Sequence, residues 1–195
     1  MDTIVYQIGN SLYINMTNKC SNNCTFCIRK NDDFHGLNLW LEKEPTTAEV
    51  INAIGDPSSY DEVVFCGFGE PLYRYRDLVT VAKYVKGFGV PTRINTNGQA
   101  MLIIGENIVP LLEECIDTIN ISLNDVSASE YKKLCAPIFG EMAYYALIDF
   151  ARCCVGHIKN VILSVVDVIG EEKIKKAQAI ASSIGCTLRV RRYEK

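Results

Sequence analysis

Cys20-Ser21-Asn22-Asn23-Cys24-Thr25-Phe26-Cys27 is the stretch on which the reading of the whole chain turns. It places three thiols within eight residues, at C-x3-C-x2-C spacing. The segment before it, Ser11–Thr17 (SLYINMT), alternates apolar and polar residues as a half-buried strand does. The cysteines therefore fall on a loop leaving a strand, where open α/β sheets and barrels place their chemistry. Asn18, Ser21, Asn22 and Asn23 are small and polar, which lets such a loop curl until three sulfurs can meet. Grouped thiolates select zinc or iron–sulfur.

The count of three carries information. A structural zinc site takes four protein ligands, usually as two pairs, and no second C-x2-C or His pair follows. An iron–sulfur cluster normally takes four cysteines, so three leave one iron open to a small molecule.

Working outward, Thr3–Gln7 and Ser11–Thr17 flank Ile8-Gly9-Asn10, a hairpin turn, so the first strand is an edge or lid beside the main sheet. Ile28–Trp40 shows no period and reads as a loop. Thr46-x-x-Glu49 is a capping box opening a helix that ends near Gly55. Strands then alternate with helices. The strands are 11–17, 62–66, 92–96, 117–124, 161–168 and 187–193. The helices are 46–55, 76–88, 107–115, a two-piece stretch from a second capping box at Ser127/Glu130 to Cys154 that breaks near Pro137 and Gly140, and 171–184. Such alternation means a parallel sheet with right-handed crossovers. Six strand–helix units are too few for an eight-stranded barrel, which leaves an open, curved one. Residues 1–195 read as one domain, with no linker or repeat.

Composition is that of an ordinary globular protein: 48% hydrophobic and 22% charged, with a net charge of −3 that gives no cause for non-specific nucleic-acid binding. No run is long enough to cross a membrane, and the N-terminus lacks a basic, then apolar, signal pattern. Nine cysteines, an odd number without a disulfide pattern, point to a reducing cytoplasm. Apart from the three, the cysteines read as small buried hydrophobes, with Cys66 beside the site; His35 and His157 lack partner spacing.

Two strands carry a separate signal. Arg93, Asn95 and Asn97 share one face of the third, and Asn120, Ser122 and Asn124 one face of the fourth. A buried amide without partners costs about 1–3 kcal/mol, so two adjacent polar faces indicate a polar cavity in place of a packed barrel interior. The competing reading is that the amides satisfy one another or cap loops. On the last strand Arg189 and Arg191 share a face, serving either an anion or a solvated edge.

Taken together, the cysteine spacing with Phe26 before the last thiol, the Gly67-Phe68-Gly69-Glu70-Pro71 turn, INTNG, SLN and the strand order resemble the radical S-adenosylmethionine (SAM) superfamily. The resemblance implies an α/β fold, an open partial (βα)6 TIM-like barrel with an added N-terminal hairpin strand. It implies that Cys20, Cys24 and Cys27 hold a 4Fe-4S cluster, with SAM on the fourth iron and Phe26 near the adenine. Gly67, Phe68, Gly69 and Glu70 would meet the methionyl amino group, with Glu70 either assisting or holding the turn. Asn95, Ser122, Asn124 and Arg191 would serve the remaining polar groups of SAM, where other members often carry Asp or Lys. The reaction implied is reductive cleavage of SAM to a 5′-deoxyadenosyl radical that abstracts hydrogen, fed by a flavodoxin- or ferredoxin-type electron donor. Among members the chain looks most like short stand-alone proteins, including those described as TatD-associated. The substrate stays open: a protein docking from the side, as in glycyl-radical activating enzymes, or a small metabolite. Two other classes use the same thiols, a zinc-binding interaction module and a redox protein working through Cys24-x-x-Cys27. Metal content separates them.

Overall fold

A computed structural model describes residues 2–30 and 36–193. His35 and part of the Ile28–Trp40 loop lie outside the described residues. One seven-stranded sheet runs in strict chain order: β1 (Val5–Ile8), β2 (Ser11–Ile14), β3 (Glu62–Phe65), β4 (Thr92–Thr96), β5 (Thr118–Ser122), β6 (Asn160–Val166) and β7 (Thr187–Arg191). β1 pairs antiparallel with β2 through the Gly9 turn, and every later pair is parallel. The first strand is thus the sheet's edge. The ends, β1 and β7, do not pair, so the sheet stays open as expected.

Helices fill the crossovers: α1 (Thr47–Ile54), α2 (Tyr75–Lys86), α3 (Ala100–Ile104), α4 (Val109–Glu113), α5 (Ala128–Cys135), α6 (Met142–Cys154) and α7 (Glu171–Ile184). Side chains alternate across each strand. Phe65, Ile94, Ile119, Ile121, Leu163 and Val165 point to the helices and form one core with Leu78, Leu112, Leu147 and Phe150. The opposite faces of β4 and β5 are polar, and they line the concave side.

Several boundaries differ from the sequence reading, each for a local reason. β2 stops at Ile14 because the Asn15 and Asn18 side chains turn to the Leu39 and Leu41 carbonyls, each at 2.7 Å. β5 stops at Ser122 because Asn124 adopts φ 58°, a left-handed conformation that asparagine tolerates. β6 runs to Val166 and then tightens into a short 3-10 turn, Asp167–Ile169. α3 was not expected, as its five residues are too short to show a period. The capping box at Thr46 forms in full. The one at Ser127 forms by half: Ser127 Oγ accepts from Glu130 N, but the Glu130 carboxylate goes to Lys133 and Lys173.

Candidate active site

The loop after β2 carries the three thiols and is tied down on both sides. Asn23 N donates to the Cys135 carbonyl and Thr25 N to the Leu134 carbonyl, both at 2.9 Å, which lashes Cys24 to the C-terminal end of α5. Asn97 Nδ2 reaches Ser21 Oγ at 2.8 Å. Behind the loop Asn22, Gln99 and Tyr131 form a closed buried network: Asn22 Nδ2 donates to Tyr131 OH at 3.0 Å, and Gln99 Nε2 to Asn22 Oδ1 at 2.7 Å and Tyr131 OH at 3.0 Å. Replacing Tyr131 with Phe leaves two amide donors short of an acceptor in a fully buried place. We expect a loss of about 1–3 kcal/mol in urea unfolding.

The loop brings the thiols to one region but not into one ligand set. Among the described residues no three Cys, His, Asp or Glu side chains stand close enough to hold an ion. Each described sulfur partner explains this. Cys20 Sγ accepts from Asn22 N at 3.4 Å, while Cys24 is hydrogen-bonded to the thiol of Cys135. Burial, with the Glu70 carboxylate nearby, pushes Cys20 up to about 12. The bond to Cys135, and then burial, hold the proton on Cys24 more strongly than usual. A thiolate bound to a metal has lost its proton, so holding a metal would require Cys24 to give up its contact with Cys135.

Glu70 is the hub of the site. Its Oε1 accepts from Leu72 N at 3.1 Å and Thr96 Oγ1 at 2.8 Å, its Oε2 accepts from Asn97 N at 2.6 Å, and its own N–H donates to the Lys19 carbonyl at 2.7 Å. Glu70, 3% exposed, thus joins its own turn to the end of β4 through its carboxylate and to the cysteine loop through its N–H. Burial pushes it up to about 7, against the pull of those donors. Of the two roles open to Glu70, holding the turn is what these contacts describe. The glycines flank it for packing. A Cβ on Gly69 would overlap the Thr17 carbonyl oxygen and lie 2.7 Å from that of Lys19; one on Gly67 would overlap the Asn15 side chain. Phe68 is buried with Tyr6 and Leu39, its ring edge-to-face with Trp40 at 5.2 Å. Phe26 packs half-buried against the main core.

The concave face is polar, as the alternation predicted. Arg93 makes a two-pronged pair with Glu62, at 3.0 and 2.7 Å, and its Nη1 donates to Asn95 Oδ1 at 3.1 Å. Asn95 also hydrogen-bonds the Cys66 thiol. Asn95 stands in register with Asn120, and Ser122 with Ser164. So the amides satisfy one another only in part: Asn120 Oδ1, Asn124 Oδ1, Ser164 Oγ and Arg191 Nε are buried without a hydrogen-bond partner. Burial lowers Arg191, whose charge is felt by Cys66, Cys24 and Cys135. Glu62 and Ser164 escaped the sequence reading. Ser164 had a signal, a polar residue inside the apolar run Val161–Val166, whereas Glu62 reveals its role only once β3 lies beside β4.

These residues fit a thiolate-bound cluster and a polar cofactor in kind: three thiols on one tethered loop, with unmet donors and acceptors facing the space beside it. Comparison with known proteins agrees. The model of the radical SAM superfamily matches residues 14–176. Proteins named probable GTP 3′,8-cyclase from Thermococcus kodakarensis and Pyrococcus horikoshii are each 27% identical over 124 residues, 64% of this chain. The matched residues make up 38% and 37% of those relatives, so the likeness spans well under half their length. Among solved structures, Streptococcus suis SuiB bound to S-adenosylmethionine superposes with a TM-score of 0.76 at 18% identity, covering 96% of this chain and 41% of that one. The hydrogenase maturase HydG from Carboxydothermus hydrogenoformans superposes with a TM-score of 0.61 at 14% identity, over 95% and 44%. These structural likenesses speak for the fold, an open partial barrel; the family match extends over most of the chain, and the chain belongs to the radical SAM superfamily, whose members use a 4Fe-4S cluster and SAM.

Proposed function

We propose that this chain is a radical SAM enzyme in which residues 1–195 form the core domain, Cys20, Cys24 and Cys27 hold the cluster, and the strand ends beside them hold SAM. The observation that carries it is the three-thiol loop tethered at the mouth of a concave, polar, incompletely satisfied strand face. When bound, the cluster supplies the electron that splits SAM to methionine and a 5′-deoxyadenosyl radical, which takes a hydrogen atom from the substrate.

The rest is the work of the protein. Glu70 locks the turn after β3, so that the backbone around Phe68 and Gly69 faces the methionyl amino group. Asn95, Ser122 and Asn124 offer amide and hydroxyl groups to ribose and methionyl oxygens, and Arg191 offers a guanidinium to the carboxylate. Phe26 supports the adenine. Phe68 and its aromatic neighbours exclude water from that side. Free thiols at all nine cysteines suit a reducing compartment, and no described helix is long and apolar enough to cross a membrane.

The test is anaerobic reconstitution with iron and sulfide, reduction by dithionite with SAM, and chromatography for 5′-deoxyadenosine. We expect production by the wild type and none by Cys24→Ala. Tight zinc in place of iron and sulfide would sink the proposal and favour the binding module.

A further inference from the structure

The inner faces of β3 to β7 carry more positive charge than the described residues neutralise. Arg93, Arg189 and Arg191 stand there against one carboxylate, Glu62, which Arg93 already holds in both prongs. Arg189 is close enough to Glu62 and to Arg191 for their charges to register, yet among the described residues it has no ion pair of its own. Its strand register sets it beside Ser164, which in turn lies beside Ser122; neighbouring strands sit about 4.8 Å apart.

Ser164 is fully buried, and its hydroxyl has no partner among the described residues. Asn120, 4% exposed and two residues before Ser122 on the same face, has an unmet carbonyl oxygen. Native interiors rarely leave such groups unpaired unless something else meets them. Arg191, one step further toward the cysteine loop, lies within reach of Cys24 and Cys135 and is taken up by the cofactor reading. Arg189, Ser164 and Asn120 lie nearer the N-terminal ends of their strands than Arg191 does, Arg189 exposed and the other two buried, and are left over.

We propose that this layer binds an anionic group of the substrate, a phosphate or a carboxylate. Arg189 supplies the charge and Ser164 Oγ–H a hydrogen bond to the anion. Asn120 Oδ1 accepts from a hydroxyl or amine next to it. Calling the ligand a substrate rests on the radical reading above; the anion site itself does not.

The reconstituted chain, with SAM present to occupy Arg191 and without reductant, is titrated calorimetrically with inorganic phosphate and, separately, with citrate. The stronger of the two identifies the anion. We expect saturable binding that weakens about tenfold in Arg189→Gln, as loss of a charge-assisted contact implies, and severalfold in Ser164→Ala. Arg192→Gln, an exposed position just past the end of β7, binds as wild type does. Melting temperatures of Arg189→Gln and Ser164→Ala stay level or rise, since each removes an unmet or repelled group, so weaker binding is not unfolding. No saturable binding of either anion, or equal binding by Arg189→Gln, overturns the site. 5′-Deoxyadenosine is measured separately: cleavage without anion binding removes this inference alone, and anion binding without cleavage removes the radical reading alone.

Discussion

Glu70→Ala costs about 3–5 kcal/mol of folding stability, the range for stripping one partner from a buried charged network. Among the described residues the carboxylate is the one acceptor for Leu72 N and Asn97 N, and it takes the Thr96 hydroxyl as well. Alanine leaves all three donors buried. Urea unfolding by circular dichroism measures the loss, and a change under 1 kcal/mol would show that water replaces the carboxylate. The same residue sets a pH slope. Burial raises Glu70 to about 7 in the fold, against about 4.3 in an unfolded chain. The native state therefore keeps a proton that the unfolded state releases. Glu70's contribution is full below about pH 4, declines as pH rises through 7, and is level above. The span is about 4 kcal/mol, and Glu70→Ala lacks this component.

Gly69→Ala lowers stability by about 3 kcal/mol or more, the upper end for overpacking, because the atoms in the way are backbone. The new methyl group would overlap the Thr17 carbonyl and crowd that of Lys19, both on the segment leading into the cysteines. Neither can yield without moving Cys20, so on the proposed reading cluster loading falls along with stability. A melting temperature lower by about 6–12 °C is the expected readout. Gly87→Ala is the control. Its φ of −60° suits any residue and its nearest neighbour is Tyr84 O at 3.1 Å, so the change is small in either direction.

Period and punctuation made the architecture legible before any coordinates. β3 is a short apolar run, β4 and β5 alternate, and the breaks at Pro137 and Gly140 fall where α5 ends and α6 begins. The polar concave face followed from parity alone, since residues two apart must share a side. What parity cannot supply is partnership. Nothing in the chain says that Glu62 will meet Arg93, that Cys135 will lie against Cys24, or that Lys173 will draw Glu130 away from Ser127. Those contacts depend on which strand or helix arrives beside which. The glycines of the GFGEP turn illustrate the same limit: their smallness was legible, while the Thr17 and Lys19 carbonyls that require it were not.

The unbroken strand order, β1 to β7, bears on how the molecule is made. A ribosome delivers the chain from its N-terminus, and each new strand finds its only earlier neighbour already present at the growing edge. The sheet can be laid down as it emerges, with no strand waiting for a later one to be inserted between. The cysteine loop does not share this ease. It leaves the ribosome early, yet its tethers are Asn97, Gln99, Tyr131 and the carbonyls of Leu134 and Cys135. Until α5 is synthesised the loop lacks the tethers to Tyr131, Leu134 and Cys135. On the proposed reading, iron and sulfide are therefore best delivered after Cys135 has been synthesised.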